Sequence, residues 1–333
     1  MATAGQVVCS THDVTAMSLG HNHHQYAHGD LTKRAAIASV SVALFLLALK
    51  IFAATETGSV ALLASLADTG FDVLASLLTL FSVRYAAMPA DDDHRFGHGK
   101  AEALSALFQV ILIIVSAILI AWRAIMRLGA QEQTAHPEYG IGVSVIAIVA
   151  TLGLLAYQRH VVRKTGSVAI QADHVHYQSD LLLNLAVIVA IVLDSMLNVR
   201  GADPAFGIAI AAWLLWGAYR AARLALDQLL DREWPEEKRQ RFIEVALRHP
   251  ELRGIHDIRT RSSGAHDFCQ FHAWVDPNMT VAAAHDIMDE LEQALMDEFP
   301  GVEVLIHPDP EGHKDEMGYI PSETIQRAEQ HDD

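Results

Sequence analysis

Cysteine is scarce in this chain of 333 residues, which contains only Cys9 and Cys269, far apart and in unlike surroundings. Two such residues cannot build a disulfide framework or a zinc site made of cysteine pairs. We also expect no cleavable signal peptide, because residues 1–30 are polar and rich in histidine and contain no apolar core. Metal chemistry, if any, must therefore come from histidine and carboxylate side chains.

An excess of basic residues is missing as well. The formal net charge is −16, and residues 227–333 carry 25 Asp and Glu against 10 Lys and Arg, whereas the first 226 residues are nearly balanced. Nucleic-acid binding needs a basic surface, so we exclude nucleic acid as a partner. The acidity of the last third is typical of a solvated face and predicts a soluble part.

Apolar residues, in contrast, make up 51% of the chain and gather in long stretches. Six stretches stand out: 35–54, 60–85, 101–123, 139–157, 177–197 and 204–222. A helix rises about 1.5 Å per residue, so each can cross a hydrocarbon core of about 30 Å. The unbroken apolar runs 40–49 and 110–120 lack the alternation of a membrane barrel. The sequence therefore predicts six transmembrane helices in a lipid bilayer.

The flanking Lys and Arg residues predict the orientation of these spans. Eleven of them fall on the side of the two termini and three on the other side. The positive-inside rule therefore places both termini in the cytoplasm. Lys50, late in the first span, is expected to extend its side chain towards the outer interface.

The region after the sixth span predicts a small α+β domain. The pattern indicates a helix over 236–248, strands over 254–261 and 267–275, a helix over 280–299 and a strand over 302–307. This order predicts a two-layer sandwich. The domain boundaries that follow are 1–31 for a His-rich flexible tail, 32–226 for the transmembrane domain, 227–310 for the cytoplasmic αββαβ domain and 311–333 for a disordered tail.

Ionisable residues inside two of the spans require an explanation, because each costs about 2.5–3.5 kcal/mol on the insertion scale. Asp68 and Asp72 lie in the second span, and His176 and Asp180 in the fifth. Both pairs are four residues apart, so each pair projects from one face of its helix. Three carboxylates and one imidazole suit tetrahedral Zn²⁺, whereas Mg²⁺ prefers more oxygen ligands. A structural polar network or a proton relay without metal are the alternatives.

Two further groups of potential ligands lie outside the spans. Asp91, His94 and His98 follow the second span, and Gly97 permits a tight turn between the histidines. By spacing alone, a solvated acidic loop explains this segment at least as well. The soluble domain offers a scattered set, which spacing does not group: His256, His272, His285, His307 and Asp309.

Three segments carry a resemblance to a known family. Segments 65–72, 96–102 and 176–180 read Ser-Leu-Ala-Asp-Thr-Gly-Phe-Asp, Phe-Gly-His-Gly-Lys-Ala-Glu and His-Tyr-Gln-Ser-Asp. They resemble the cation diffusion facilitator family, in particular its bacterial zinc and iron efflux branch. The likeness extends from about residue 32 to residue 310, which is nearly the whole predicted folded chain.

The resemblance implies properties that spacing does not. It implies a homodimer in the inner membrane, with six transmembrane helices and a cytoplasmic domain of ferredoxin-like, metallochaperone-like fold. It implies export of zinc, with cadmium or ferrous iron as related ions, in exchange for protons by alternating access. Asp68, Asp72, His176 and Asp180 match the transport site of the family, and Asp91, His94 and His98 match its loop site. The soluble set matches a paired-ion site: His256, His272, His285, His307 and Asp309. Lys100 and Asp231 match an ion pair at the membrane-proximal joint of the dimer.

Other functions remain as alternatives at this point. An exporter of the same family that prefers manganese or iron would use similar ligands, because affinity order does not settle selectivity. A passive cation channel would need pore-lining residues in series, and a metal sensor would bind zinc without moving it. We expect no enzyme activity, since the sequence lacks a His-Glu-x-x-His pattern and a separate general base. Residues 20–30, with four histidines, match no part of the family and form either a flexible tail or a metal-gathering one.

Overall fold

The computed structural model describes residues 14–57, 60–127, 137–197, 202–313 and 324–326. Its first part consists of six long helices: α1 (Val14–Thr57), α2 (Val60–Ala86), α3 (Ala101–Arg127), α4 (Pro137–Thr165), α5 (Val168–Leu197) and α6 (Ala202–Leu229). Their order and approximate positions agree with the six predicted apolar stretches. The chain forms two compact units, one containing Gly29–Arg232 and the other containing Glu233–Ser262 and the chain from His266 onward.

The first helix begins earlier than the sequence indicates. We expected a flexible tail up to residue 31, but α1 is helical from Val14, so it includes the His-rich segment 20–30. Extending an existing helix adds one hydrogen bond for each residue fixed, and no proline interrupts this stretch. The side chains of residues 14–28, and the whole of residues 1–13, lie outside the described part, so the metal-gathering role of this segment stays a prediction.

The exterior of the helical unit is apolar, as a bilayer requires. Large side chains such as Phe52, Phe81 and Trp122 are each more than 60% exposed. Four helical segments in the described part are long and apolar enough to cross a membrane: Gly29–Thr55, Ala101–Met126, Ser144–Thr165 and Ala205–Leu229. The other two long helices, α2 and α5, carry the predicted ion ligands, and their crossing of the membrane stays a prediction.

Helices α3 and α6 pack closely through small and branched side chains. Val110, Ile113 and Ala117 of α3 form a buried cluster with residues of α6, including Leu214 and Ala218. Close approach of helices through small residues is typical of membrane proteins, where dispersion contacts replace the hydrophobic effect as the driving force. Side chains of α5, including Val175 and Leu182, pack against the same cluster, so α5 lies against this helix pair.

The second unit is a small α+β domain, as predicted. It contains α7 (Glu236–Ala246), β1 (Gly254–Ser263), β2 (His266–Val275), α8 (Val281–Glu298), β3 (Val302–Pro310) and β4 (Thr324–Gln326). The sheet order is β3-β2-β1-β4. Strands β2 and β3 are parallel, with Asp267 opposite Val302 and Val275 opposite Pro310. The Thr280 hydroxyl caps α8 by accepting a hydrogen bond from the N–H of Ala283 at 3.2 Å.

One face of the sheet packs against both helices and forms the core of this unit. Phe242 of α7, Phe271 of β2 and Leu295 of α8 belong to it and are at most 1% exposed. Cys269 also points into this core, and burial raises the pKa of its thiol well above the ordinary value. Alternate residues of β2, such as His272, therefore lie on the opposite face of the sheet.

Strand β1 contains an irregularity next to a histidine. Ile255 and Ile258 both belong to the core although they are three residues apart. Asp257 has a φ of 51°, so an extra residue is accommodated between them as a bulge. His256 directly follows the buried Ile255, so it lies on the opposite face of the sheet, where its ring is 5.0 Å from that of His272.

The C-terminal tail contains a short strand that was not predicted. We expected disorder over 311–333, but Thr324–Gln326 pairs antiparallel with β1, with Ile325 opposite Ile255. The edge of β1 has backbone groups that need partners, and Ile325 packs against the core. Residues 314–323 and 327–333 of the predicted tail lie outside the described part.

Candidate metal centres

Helices α2 and α5 bring three predicted ligands together. The His176 Nε2 atom lies 3.1 Å from Asp72 Oδ1 and 4.0 Å from Asp180 Oδ2. One ligand atom of each residue falls within 4.8 Å of the others. The side chain of Asp68, one turn before Asp72 on α2, lies outside the described part. The described donors are one nitrogen and two carboxylate oxygens around one point, and this donor set suits Zn²⁺. We refer to Asp72, His176 and Asp180 as the intramembrane cluster.

Neighbouring hydrogen bonds fix the direction of His176. The hydroxyl of Tyr177, the next residue, donates to the Ser39 carbonyl of α1 at 3.0 Å and lies 2.8 Å from the Ser76 hydroxyl of α2. Tyr177 is 1% exposed, so these bonds lie in the interior of the helical unit. Because Tyr177 cannot turn without breaking them, the rotation of α5 is set, and His176 is directed towards α2.

The start of α5 is also held in place. Ser167 precedes the helix, and its hydroxyl accepts a hydrogen bond from the N–H of Ile170 at 3.3 Å, as an N-cap does. The same hydroxyl donates to the buried carboxylate of Glu102 at 2.5 Å. These contacts attach the first turn of α5 to the start of α3, so the helix that carries two of the ligands is anchored at its end.

A second polar group lies one turn before His176 and was missed in the sequence. Asp173 is fully buried, and its two carboxylate oxygens accept hydrogen bonds from the amides of Gln109 and Gln158 at 3.3 and 2.8 Å. Gln158 also donates to the Ser39 hydroxyl at 3.0 Å. The network joins α1, α3, α4 and α5. A signal was available, because Asp173 is an acidic residue only three positions before His176.

The loop after α2 forms the second centre. The two oxygens of Asp91 each contact one imidazole: Oδ1 lies 3.2 Å from His94 Nδ1, and Oδ2 lies 3.2 Å from His98 Nε2. Gly97 has a φ of 75°, which provides the predicted tight turn. The His98 side chain is 1% exposed, and its Nδ1 has no hydrogen-bond partner within the described residues.

Backbone N–H groups of this loop hold the Asp91 carboxylate in place and stabilise its ionised form. The N–H of His94 donates to Asp91 Oδ1 at 2.7 Å, and the N–H of Asp93 donates to the same oxygen at 3.0 Å. The bond from His94 lowers the pKa of the Asp91 carboxyl, because it stabilises the ionised form. The donor set of Asp91, His94 and His98 therefore fits a zinc ion and favours a built site over a solvated loop.

The outer face of the sheet in the second unit carries the third centre. Asp309 of β3 is 4% exposed, and its Oδ2 lies 2.8 Å from His272 Nδ1 and 3.3 Å from His256 Nε2. Its other oxygen lies 3.4 Å from His307 Nε2. Asp309 therefore contacts three imidazoles, a bridging arrangement that fits one or two zinc ions.

The structure does not bring His285 into this third centre. His285 lies on α8, its side chain is 73% exposed, and it pairs with Asp289 one turn later at 3.5 Å. The core side of the sheet faces α8, whereas the other predicted ligands lie on the opposite face. Four of the five predicted residues are thus grouped, and His285 is separate.

The predicted ion pair of Lys100 and Asp231 is present. Lys100 Nζ lies 2.9 Å from Asp231 Oδ1, and it also donates to the Leu229 carbonyl at 3.4 Å. Asp231 has a φ of 53°, so the backbone turns sharply just after α6. The pair fastens the start of α3 to the end of α6.

Family comparison agrees with both units of this architecture. The family profile described as the cation efflux transmembrane domain matches residues 36–230, and the profile of the cation efflux protein cytoplasmic domain matches residues 234–311. The chain belongs to the cation diffusion facilitator family. As a member of that family it is a membrane transporter for metal cations, with a transmembrane part and a cytoplasmic domain built on a sheet.

Several relatives of this facilitator are similar over nearly their whole length. The cation-efflux pump FieF of Cronobacter sakazakii is 45% identical over 287 residues, which is 86% of this chain and 95% of the relative. FieF of Serratia proteamaculans is 45% identical over 286 residues, which is 86% of this chain and 94% of the relative. Among solved structures, CzrB in its zinc form is 36% identical, with a TM-score of 0.24, and covers 26% of this chain and 98% of the CzrB chain.

Proposed function

We propose that this facilitator exports zinc from the cytoplasm across the inner membrane in exchange for protons, by alternating access of the intramembrane cluster. The observation that carries the proposal is the convergence of Asp72, His176 and Asp180 from two helices on one point. Asp68 is the proposed fourth ligand. We further propose six membrane crossings with both termini in the cytoplasm, which the six long helices and the distribution of basic residues support.

Proton exchange follows from the chemistry of the ligands. A zinc ion binds ionised carboxylates and neutral imidazole, so loading displaces protons from the cluster. When the site faces the more acidic side, protons compete for the same atoms and favour release of the metal. His176 is the proposed coupling group, because the Nε2 atom of His176 faces both carboxylates and can bind either a proton or a metal ion.

The loop and sheet centres are proposed to bind zinc without transporting it. Both lie outside the predicted spans, on the side to which the positive-inside rule assigns the cytoplasm. Zinc there would stabilise the folded loop and domain, because binding to a preformed site adds to folding free energy. We propose that the chain acts as a homodimer, with Lys100 and Asp231 near its membrane-proximal joint. Cadmium and ferrous iron are further candidate substrates, since they use similar ligands.

Flux through reconstituted protein tests this proposal. The full chain is reconstituted in proteoliposomes with a zinc-sensitive dye, and a pH gradient is imposed. We expect zinc to move in the direction opposite to the protons, at a rate that saturates as the zinc concentration rises. Collapsing the gradient with a protonophore is expected to abolish accumulation against a zinc gradient. Zinc movement that only follows its own gradient, whatever the pH difference, would instead support a passive channel.

A further inference from the structure

Lys50 turns inward to helix α2. It lies within the span Gly29–Thr55, and its ammonium group donates a hydrogen bond to the hydroxyl of Thr69 at 2.5 Å. The Thr69 side chain is 1% exposed, so this bond joins two helices in the interior of the unit. The sequence predicts the opposite direction, towards the outer interface. A charge that faces the interior of a membrane protein generally pairs with others and serves a function.

The position of Thr69 places this charge next to the proposed transport site. Thr69 lies three residues before Asp72 on α2, a spacing that puts the two side chains on one face of the helix. The hydrogen bond therefore holds the ammonium against the part of α2 that carries Asp72.

We propose that Lys50 is a fixed counter-charge of the transport site, which offsets one negative charge of its carboxylates and limits the affinity of the site for the ion. The proposal rests on the function proposed above. The described site contains the two carboxylates of Asp72 and Asp180, and the ammonium offsets one of these negative charges. Without Lys50 the site would hold one more uncompensated negative charge inside the membrane, where such charge is costly.

A counter-charge and a purely structural hydrogen bond predict opposite changes in zinc affinity when Lys50 is replaced. Loss of a purely structural contact would loosen the site and weaken metal binding. Loss of a positive charge near the ligands removes repulsion of the cation, so binding becomes tighter. At an effective dielectric constant of about 20, a unit charge about 10–20 Å from a divalent ion changes Kd by roughly tenfold or more. Tighter binding would also slow release, so KM and kcat for flux should fall together.

The experiment measures zinc affinity by calorimetry on the purified full chain. All variants carry His94→Ala and His272→Ala, which disable the loop and sheet centres. Lys50→Met and Lys50→Gln are expected to bind zinc about tenfold tighter than the parent, whereas Lys50→Arg keeps the parent affinity. Thr69→Val removes the hydrogen bond but retains the charge, so it should not tighten binding. Lys164→Met, at an exposed position of α4, is the matched control.

The outcomes separate this inference from the function on which it rests. If Asp180→Ala leaves zinc binding intact, the transport site itself is misplaced. If Asp180→Ala abolishes binding but Lys50→Met and Lys50→Gln bind zinc with unchanged or lower affinity, Lys50 is not a counter-charge and this inference alone is overturned. If one of these two neutral variants does not fold, the other decides the question. Lys50→Gln is the safer of the two, because its amide can still donate a hydrogen bond to Thr69.

Discussion

Asp180→Ala is expected to reduce proton-driven zinc flux to the level of empty liposomes, with His176→Ala giving the same result. Each change removes a ligand atom of the intramembrane cluster. Even mutations of residues that only hydrogen-bond to a metal ligand typically lower the metal affinity by about 10–100-fold. The loss of affinity should therefore exceed about a hundredfold. Zinc flux into proteoliposomes under a fixed pH gradient measures the loss of transport, and calorimetry measures the loss of zinc affinity.

The folded state should survive these changes. Asp180 and His176 are ionisable groups within a predicted span, and replacing one by alanine removes a cost of about 2.5–3.5 kcal/mol from the membrane interior. The thermal unfolding temperature of Asp180→Ala is therefore expected to match or exceed that of the parent. Asp92→Ala is the matched control, because Asp92 is an exposed carboxylate paired with Arg95 at the surface. Retained pH-driven flux in Asp180→Ala would refute the assignment of the site.

Asp309→Ala is expected to remove zinc from the sheet centre and to lower the number of ions bound per chain. Asp309 contacts His256, His272 and His307, so its loss deprives the centre of the group that connects the three imidazoles. Affinity at this centre should fall by more than about a hundredfold. Binding that depends on Asp180 should persist, since the two centres lie in different compact units.

A control on the same strand makes this result specific. Glu303 is an exposed carboxylate of β3 outside the described metal-binding groups, so Glu303→Ala should keep the number of bound ions. The measurement is zinc per chain after dialysis against low free zinc. An unchanged zinc content in Asp309→Ala would show that the sheet face is only a cluster of hydrogen-bonded side chains.

Local helical geometry explains why most of the intramembrane cluster could be predicted. His176 and Asp180 are four residues apart, so any helix places them on one face, and the cost of charge in lipid predicts that this face turns inward. The amide donors of Asp173 could not be predicted in the same way. Gln109 and Gln158 come from other helices, and their approach depends on helix rotations that no local pattern specifies.

The direction of a long side chain and the pairing of distant segments were likewise not predictable from the local sequence. The four-carbon chain of Lys50 can reach outward or inward, and the direction shows only in the structure, where Lys50 donates to the Thr69 hydroxyl. Strand β4 is three residues long and pairs with β1 across a large sequence separation, so its own sequence contains little signal. His285 is a histidine like three of the other predicted ligands of the sheet centre, but it lies on α8, which packs on the other side of the sheet.

Anomalous diffraction at the zinc absorption edge, from crystals of the full chain grown with zinc, tests the central claim most directly. We predict a peak between α2 and α5, bounded by Asp72, His176 and Asp180, which disappears in crystals of Asp180→Ala. Peaks at the loop and sheet centres should remain in both and serve as internal references. Zinc peaks at those two centres alone, with none in the intramembrane cluster, would contradict the account.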